Sequence, residues 1–186
     1  VTDPEQLARF TEQAFAAFGE VALVVNNAGI GQARGSVMDT AFEEMRRVMA
    51  VNFDGVWRGC QVFGQRLIEQ GAPAALYNIG SENSFFVAVK HSAAYVASKH
   101  AVHGLSDTLR QEYAGRGIRV SEILPGMVKT DFATARFSDA EKGDAFYESY
   151  GQCLEAEDIA RSVLFALEQP PHVVVSQIVI VPDNPG

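Results

Sequence analysis

The sequence contains little cysteine and no long apolar run. Cys60 and Cys153 are the only cysteines among 186 residues and lie far apart, which excludes a disulfide scaffold and favours a reducing compartment. The longest apolar runs, such as residues 21–25 and 163–167, have five residues, whereas a membrane-spanning helix needs about 20. We therefore predict a cytoplasmic protein with no membrane partner.

Basic residues are also scarce. Lys and Arg total 15 against 23 for Asp and Glu, and the net charge of −8 argues against a nucleic-acid partner. The first residues, Val1 to Glu5, form neither a basic leader nor an apolar core, so they do not resemble a signal peptide. The hydrophobic share of 47% and the lack of repeats or linkers predict a single domain over residues 1–186.

Short apolar segments alternate with amphipathic ones along the chain. A capping pattern at Thr2 predicts a helix that ends at Gly19, and another at Thr40 predicts a helical stretch. A long amphipathic helix is expected from Asn52 to about Gln70, another from Ser92 to near Gly115, and another around residues 159–167. The apolar segments 21–25, 74–79, 118–124 and 173–181 have strand lengths. This alternation predicts an α/β fold with a parallel sheet.

Two segments lack a clear pattern. Residues 80–91 form a polar loop, and residues 131–154 are weakly patterned with scattered aromatic side chains. We interpret residues 131–154 as a mobile flap outside the core. Its aromatic residues pack together or line an apolar substrate pocket, and the sequence favours neither alternative.

Tyr95 and Lys99 form the most informative pair. Four positions apart on a predicted helix, they share one face. A phenol has an ordinary pKa of about 10, too high for proton exchange at neutral pH, and a nearby cation favours its ionised form. Because surface helices carry such pairs by chance, the pair predicts a general acid or base only in context.

Polar or glycine-bearing residues at strand ends supply that context. Asn26 to Gly29 follow the first apolar segment, Gly80 and Ser81 follow the second, and Pro125 and Gly126 end the third. The carboxyl ends of parallel strands form the ligand-binding edge of such sheets. The sequence therefore predicts an active-site rim.

With these motifs in this order, residues 1–182 resemble the classical short-chain dehydrogenase/reductase family. The resemblance implies a Rossmann-like, doubly wound parallel α/β sheet and an oxidoreductase that uses NAD or NADP. It implies a small-molecule alcohol or carbonyl substrate, and a homodimer or homotetramer built through the two long helices.

The resemblance also implies roles for individual residues. Tyr95 would be the general acid or base, and Lys99 would lower the pKa of Tyr95 and bind the nicotinamide ribose. Ser81 would donate a hydrogen bond to the substrate oxygen, and Asn52 would hold a water that links Lys99 to solvent. The residues implied in cofactor binding are Asn26, Ala28, Gly29, Tyr95, Lys99, Pro125, Gly126, Val128 and Thr130.

The sequence departs from the family pattern in two ways. The interval from Ser81 to Tyr95 is one residue longer than the commonest spacing, and Ser84 offers a second hydroxyl; we prefer Ser81 because it directly follows the strand. The glycine-rich dinucleotide turn is missing, since Gly29, Gly31 and Gly35 have the wrong spacing and read as a loop. We expect strands one to three, roughly 60 residues, to lie upstream.

Other candidate residues have simpler interpretations. His91, His100 and His103 lack a completing carboxylate or cysteine, so no metal site is predicted. Cys60 is expected in the core, and Glu82 is either a surface charge or a border of the substrate entrance. Because the phosphate-binding part is missing, a cofactor-free regulatory or scaffold relic of the fold is the alternative function. We prefer the interpretation that the sequence is one part of a longer, active enzyme, since an isolated domain would leave residues 21–25 as an unpaired edge strand.

Overall fold

The computed structural model describes residues 1–33, 35–86 and 90–183. A single turn of π-helix, Ala50–Asp54, joins the second helix to the third, and a 3-10 turn, Glu82–Ser84, follows the second strand. The α-helices are α1 (Pro4–Phe18), α2 (Phe42–Met49), α3 (Gly55–Gln70), α4 (Ala93–Glu112), α5 (Phe132–Phe137), α6 (Ala140–Glu148) and α7 (Ala156–Leu167). The strands are β1 (Leu23–Asn26), β2 (Ala74–Ile79), β3 (Ile118–Pro125) and β4 (Gln177–Ile180).

The four strands form one parallel sheet in the order β1-β2-β3-β4, which confirms the predicted α/β class. Two strands begin later than predicted. The backbone N–H of Val21 donates to the Gln70 side chain at 2.8 Å instead of to a strand. The N–H of Val173 closes a turn on the Pro170 carbonyl at 2.8 Å. In both places a partner outside the sheet takes the backbone N–H that a strand would use: a side chain of α3 for Val21 and a turn carbonyl for Val173.

Helices cover both faces of the sheet. On one face, α3 and α4 bury large apolar side chains such as Phe63, Leu67 and Leu109 against Leu76 and Val120. On the other face, Ala166 of α7 packs on Ala75 and Tyr77. Burial on both faces explains why the sequence of β2 is almost continuously apolar. Within the described ranges, no helix has the length and apolar character that a membrane crossing requires.

The predicted capping residues of the first two helices were wrong. In α1 the N-cap is Asp3, whose carboxylate accepts from the Gln6 N–H at 3.0 Å, so Thr2 has no capping role. Thr40 does not cap α2; its hydroxyl donates to the Ser36 carbonyl at 2.7 Å. At α1 the sequence offers two neighbouring polar side chains, which a capping pattern does not rank; at α2 the N-cap position is occupied by Ala41, which makes no side-chain capping bond.

The segment predicted to be a mobile flap contains two helices. The ring centroids of Phe137 in α5 and Phe146 in α6 are 5.6 Å apart. Gly143 lies so close to the Thr134 backbone that a β-carbon would come within 2.8 Å of its nitrogen. In the loop predicted over residues 80–91, Val87, Ala88 and Val89 lie outside the described residues.

Candidate active site

The predicted catalytic side chains meet at the carboxyl edge of the sheet. Ser81 follows β2, Tyr95 and Lys99 lie in the first two turns of α4, and Asn52 lies in the π-turn before α3. Ser81, Lys99 and Asn52 are buried, with exposed fractions of 4%, 5% and 0%.

The Ser81 hydroxyl is held by Asn83. Its oxygen accepts from the backbone N–H of Asn83 at 3.2 Å and from the Asn83 amide at 3.3 Å. With both acceptor positions used, its own proton is left to donate, and Ser81 lowers the pKa of Tyr95. The alternative, Ser84, donates its proton to the Lys99 carbonyl at 3.0 Å.

Lys99 is held away from bulk water. Its ammonium donates to the Ile79 carbonyl at 2.7 Å and lies 5.8 Å from the centroid of the Tyr95 ring. Burial lowers the pKa of Lys99 to about 8, and the charge of Glu122 acts in the opposite direction. The amine therefore exchanges protons close to neutral pH.

The pKa of Tyr95 is not lowered, contrary to the expectation for a tyrosine paired with a lysine. Burial raises the pKa of this phenol above its ordinary value, and the charge of Glu82 raises it further. The Ser81 hydroxyl and the positive charge of Arg136 lower it, but by less than burial raises it. The sequence pattern missed Arg136 because it belongs to the weakly patterned segment 131–154.

Asn52 connects the loop after β1 to α4. Its carboxamide oxygen accepts from the Ile30 N–H at 2.8 Å, and its NH2 donates to the Ile30 carbonyl and to the Ser98 hydroxyl, each at 3.0 Å. Both hydrogens of the Asn52 amide are thus used within the protein, and a water-holding role for Asn52 stays a prediction. The π-turn that carries Asn52 is a feature often found at functional sites.

The N-terminus of α4, the helix that bears Tyr95, is capped by the side chain of Gln32. The sequence did not single out this residue. Ser92 was predicted to cap α4, but its side chain makes no capping bond. Instead the buried Gln32 side chain accepts from the backbone N–H groups of Ala94 and Tyr95, at 2.6 and 3.1 Å. A glutamine 62 positions upstream of Ala94 leaves no local pattern that would reveal this role.

Helix α5 closes over this arrangement. The Arg136 guanidinium donates to the Gln32 carbonyl at 2.7 Å and to the Ser92 hydroxyl at 2.9 Å. The Phe132 ring meets the Tyr95 ring edge-on, with centroids 5.8 Å apart. Phe132 therefore packs beside the phenol, and a substrate pocket lined by these aromatic residues stays a prediction.

The residues implied in cofactor binding occupy different environments. The backbone at Gly29 passes close to the predicted catalytic side chains, since a β-carbon there would lie 3.7 Å from the Lys99 ammonium. The Asn26 amide, in contrast, donates to Asn78 at 2.8 Å inside the fold. The remaining residues of the set surround the end of β1 or follow β3: Ala28 and Thr130 are exposed, Pro125 is buried, and Gly126 and Val128 are half-buried.

Glu82 borders the site beside Ser81. It is half-buried, and burial raises the pKa of its carboxyl group. A β-carbon on Gly126 would lie 3.3 Å from its Oε2 atom. Cys60 is in the core as predicted, where burial raises the pKa of its thiol to about 12.

A family model described as short chain dehydrogenase matches residues 1–141. The chain belongs to this family. The short-chain dehydrogenase fold therefore accounts for the parallel sheet and for the position of the tyrosine-bearing helix beside it.

Curated relatives of this family differ in length. Galactitol 2-dehydrogenase (L-tagatose-forming) from Cereibacter sphaeroides is 33% identical over 184 residues, which cover 97% of this chain and 71% of the relative. The probable oxidoreductase EphD of Mycobacterium tuberculosis is 41% identical over 149 residues, which cover 77% of this chain. The match spans only 25% of the length of EphD.

Solved structures share the fold. An alcohol dehydrogenase from the archaeon Thermococcus sibiricus, complexed with 5-hydroxy-NADP, superposes with a TM-score of 0.80 at 26% identity, covering 96% of this chain and 70% of that one. A serine dehydrogenase complexed with NADP+ gives a TM-score of 0.89 at 23% identity, covering 96% and 72%. At that identity, the second likeness shows the fold alone.

Proposed function

We propose that this chain is the catalytic part of an NAD(P)-dependent dehydrogenase or reductase that interconverts an alcohol and a carbonyl compound. One observation carries the proposal: the centroid of the Tyr95 ring lies 5.8 Å from the buried Lys99 ammonium, and the Ser81 hydroxyl lowers the pKa of the same phenol. Family membership and the NADP-type ligand of the Thermococcus structure support it.

The residues present fit the nicotinamide half of such a cofactor. Lys99 has three donor hydrogens, of which one binds Ile79. We propose that the others, with the Tyr95 hydroxyl, bind the hydroxyls of the nicotinamide ribose, and that the backbone around Gly29 and Gly126 lines the rest. When bound, the cofactor supplies or accepts the hydride.

The protein then manages the proton. During reduction, Tyr95 gives its proton to the substrate oxygen, where negative charge develops, and the Ser81 hydroxyl donates a hydrogen bond to the same oxygen. Lys99, with a pKa of about 8, is placed to restore the proton of Tyr95. Phe132 excludes water on one side of the phenol.

The proposal includes assembly into a homodimer or homotetramer. Bulky side chains remain exposed on and beside the long helix α3, including Trp57 at 51% and Phe42 at 63%. Apolar surface of this kind is typical of protein interfaces.

The decisive variant is Tyr95→Phe in the full polypeptide, because it removes only the hydroxyl. We expect turnover of a ketone panel with NADPH or NADH to fall by about 10² to 10⁴-fold. Tyr113→Phe is the matched control, since its hydroxyl, at the far end of α4, makes only a 3.4 Å bond to the Cys60 carbonyl. Full turnover by a folded Tyr95→Phe variant would contradict the proposal and favour the scaffold alternative.

A further inference from the structure

A buried carboxylate that the proposed reaction does not use lies beneath the active site. The Glu122 side chain in β3 has no exposed surface. His103 of α4 binds one of its oxygens, with Nδ1 and Oε2 2.7 Å apart. The second oxygen, Oε1, has no hydrogen-bond partner among the described residues. A half-satisfied charged group inside a protein is costly, so this arrangement needs an explanation.

The unpaired oxygen of Glu122 lies against Gly80, the residue before Ser81. A β-carbon on Gly80 would overlap Glu122 Oε1, so this glycine is required by a close approach. The carbonyl of the same peptide unit, that of Ile79, accepts the hydrogen bond from the Lys99 ammonium at 2.7 Å. The buried carboxylate thus lies against Gly80, and the buried ammonium binds the carbonyl of the residue before it.

Glu122 is the charged group that acts on Lys99 within residues 1–33, 35–86 and 90–183. It raises the pKa of Lys99 against the larger effect of burial. Buried charges in proteins are normally paired or are neutralised by loss or gain of a proton. The Lys99 ammonium therefore depends on this carboxylate for its charge.

The charges around Glu122 come from α4. Burial raises the pKa of Glu122, while the hydrogen bond and charge of His103 lower it; Asp107 raises it and Arg110 lowers it. The strand residues paired with Glu122 are Asn78 in β2 and Gln177 in β4, and both are uncharged.

The imidazole is fixed on its other sides as well. The Phe85 ring packs edge-on against His103, with centroids 4.3 Å apart. His103 Nε2 lies 3.7 Å from Asp107 Oδ2. With its ring position determined by these neighbours, His103 can orient the carboxylate toward the Ile79–Gly80 peptide.

We propose that Glu122 is a positioning residue of the active site: anchored by His103, its carboxylate is the counter-charge that keeps Lys99 protonated. The proposal deepens the proposed function, because it explains how a buried lysine remains an ammonium. It also gives His103 a role that requires no metal ion.

The test follows Lys99 directly. The full polypeptide is labelled with ¹³C-lysine, and the Lys99 signal, assigned by its loss in Lys99→Met, is titrated by NMR. In Glu122→Gln we expect the midpoint of the Lys99 titration to fall by about one pH unit, because charges buried inside a protein are weakly screened from one another. Glu112→Gln, which removes a carboxylate from an exposed position of the same helix, should leave the midpoint unchanged.

A second variant protects the test against misfolding. His103→Gln retains the carboxylate but removes its imidazole anchor, so the Lys99 midpoint should fall by less than in Glu122→Gln. An unchanged midpoint in whichever variant folds, or an equal shift in Glu112→Gln, overturns the proposal. If the midpoints move but no oxidoreductase activity is found, the proposed function fails while the pairing of Glu122 with Lys99 stands.

Discussion

Lys99 is an ionisable group whose burial has a thermodynamic consequence that does not require substrate. Its pKa is about 8 in the folded chain, against about 10.4 for an unfolded lysine. Between these values the unfolded chain binds a proton that the folded chain has released. Stability contributed by this group is therefore present above pH 10.4 and is lost as pH falls through 8.

We predict that the free energy of unfolding rises with pH relative to that of Lys99→Met. From pH 8 to 10 the difference between wild type and variant should grow by about 2 kcal/mol, since each pH unit contributes up to about 1.4 kcal/mol per proton. Urea unfolding at closely spaced pH values measures it. Comparing the two proteins cancels the titration of Tyr95 and of other groups above pH 9. Parallel pH profiles would show that Lys99 titrates as an ordinary lysine.

Residue identity was predictable where a motif is local. Tyr95 and Lys99 lie four apart on one helix, and Ser81 directly follows a strand, so short patterns sufficed to find them. Gln32, Arg136 and Glu122 were not found, because their roles depend on contacts between distant segments. Their side chains are ordinary in sequence, and only the packing of the loop after β1, of α5 and of β3 around α4 makes them informative.

At the level of elements, the start of α4 determines where the Tyr95 hydroxyl lies. Helix N-termini present backbone N–H groups that need an acceptor. Here the acceptor is Gln32 from the loop after β1, and Arg136 of α5 binds the carbonyl of the same residue. The helix that bears Tyr95 is thus tied to two other segments of the chain.

We predict that Gln32→Met lowers both stability and turnover. Loss of the acceptor at the Ala94 and Tyr95 N–H groups should reduce the free energy of unfolding by about 1 to 2 kcal/mol, as for other helix caps. Displacement of the phenol should lower kcat by about tenfold or more. The control is Gln111→Met, at an exposed position near the other end of α4. Equal losses in the two variants, measured by urea unfolding and steady-state kinetics, would contradict a specific role for Gln32.

The order of the elements was predicted better than their ends. Apolar runs and amphipathic spacing located α1, α3, α4 and α7 and all four strands, because burial on a sheet enforces these patterns. The caps at Thr40 and Ser92 were wrong because a competing partner lay nearby in space. Segment 131–154 was misread since α5 and α6 pack mainly on each other through a few aromatic rings, which weakens the apolar periodicity of each helix.

On the scale of the whole molecule, β1 borders an apolar groove. The groove, of about 670 Å³, lies between α1 and β1 and is lined by side chains such as Leu7, Phe10 and Phe63. Val25 of β1 is 39% exposed beside it. The chain covers 71% of galactitol 2-dehydrogenase and 70% of the Thermococcus alcohol dehydrogenase. We propose that upstream sequence of the same polypeptide supplies the strands that pair with β1 and the turn that binds the cofactor phosphates.

Val25→Lys tests this proposal, because its cost depends on what covers β1. In the 186-residue chain the lysine would remain partly solvated, and the free energy of unfolding should change by less than about 1 kcal/mol. In a polypeptide extended upstream by roughly 60 residues, the same change would bury an unpaired charge and should cost about 2 to 4 kcal/mol. Val174→Lys, 43% exposed and far from β1, is the control, and its effect on the free energy of unfolding should be the same in both lengths.

The extended wild type should also bind NADP more tightly by isothermal titration calorimetry, since phosphate binding requires the turn missing here. Equal costs of Val25→Lys in both lengths would place the upstream sequence away from this groove.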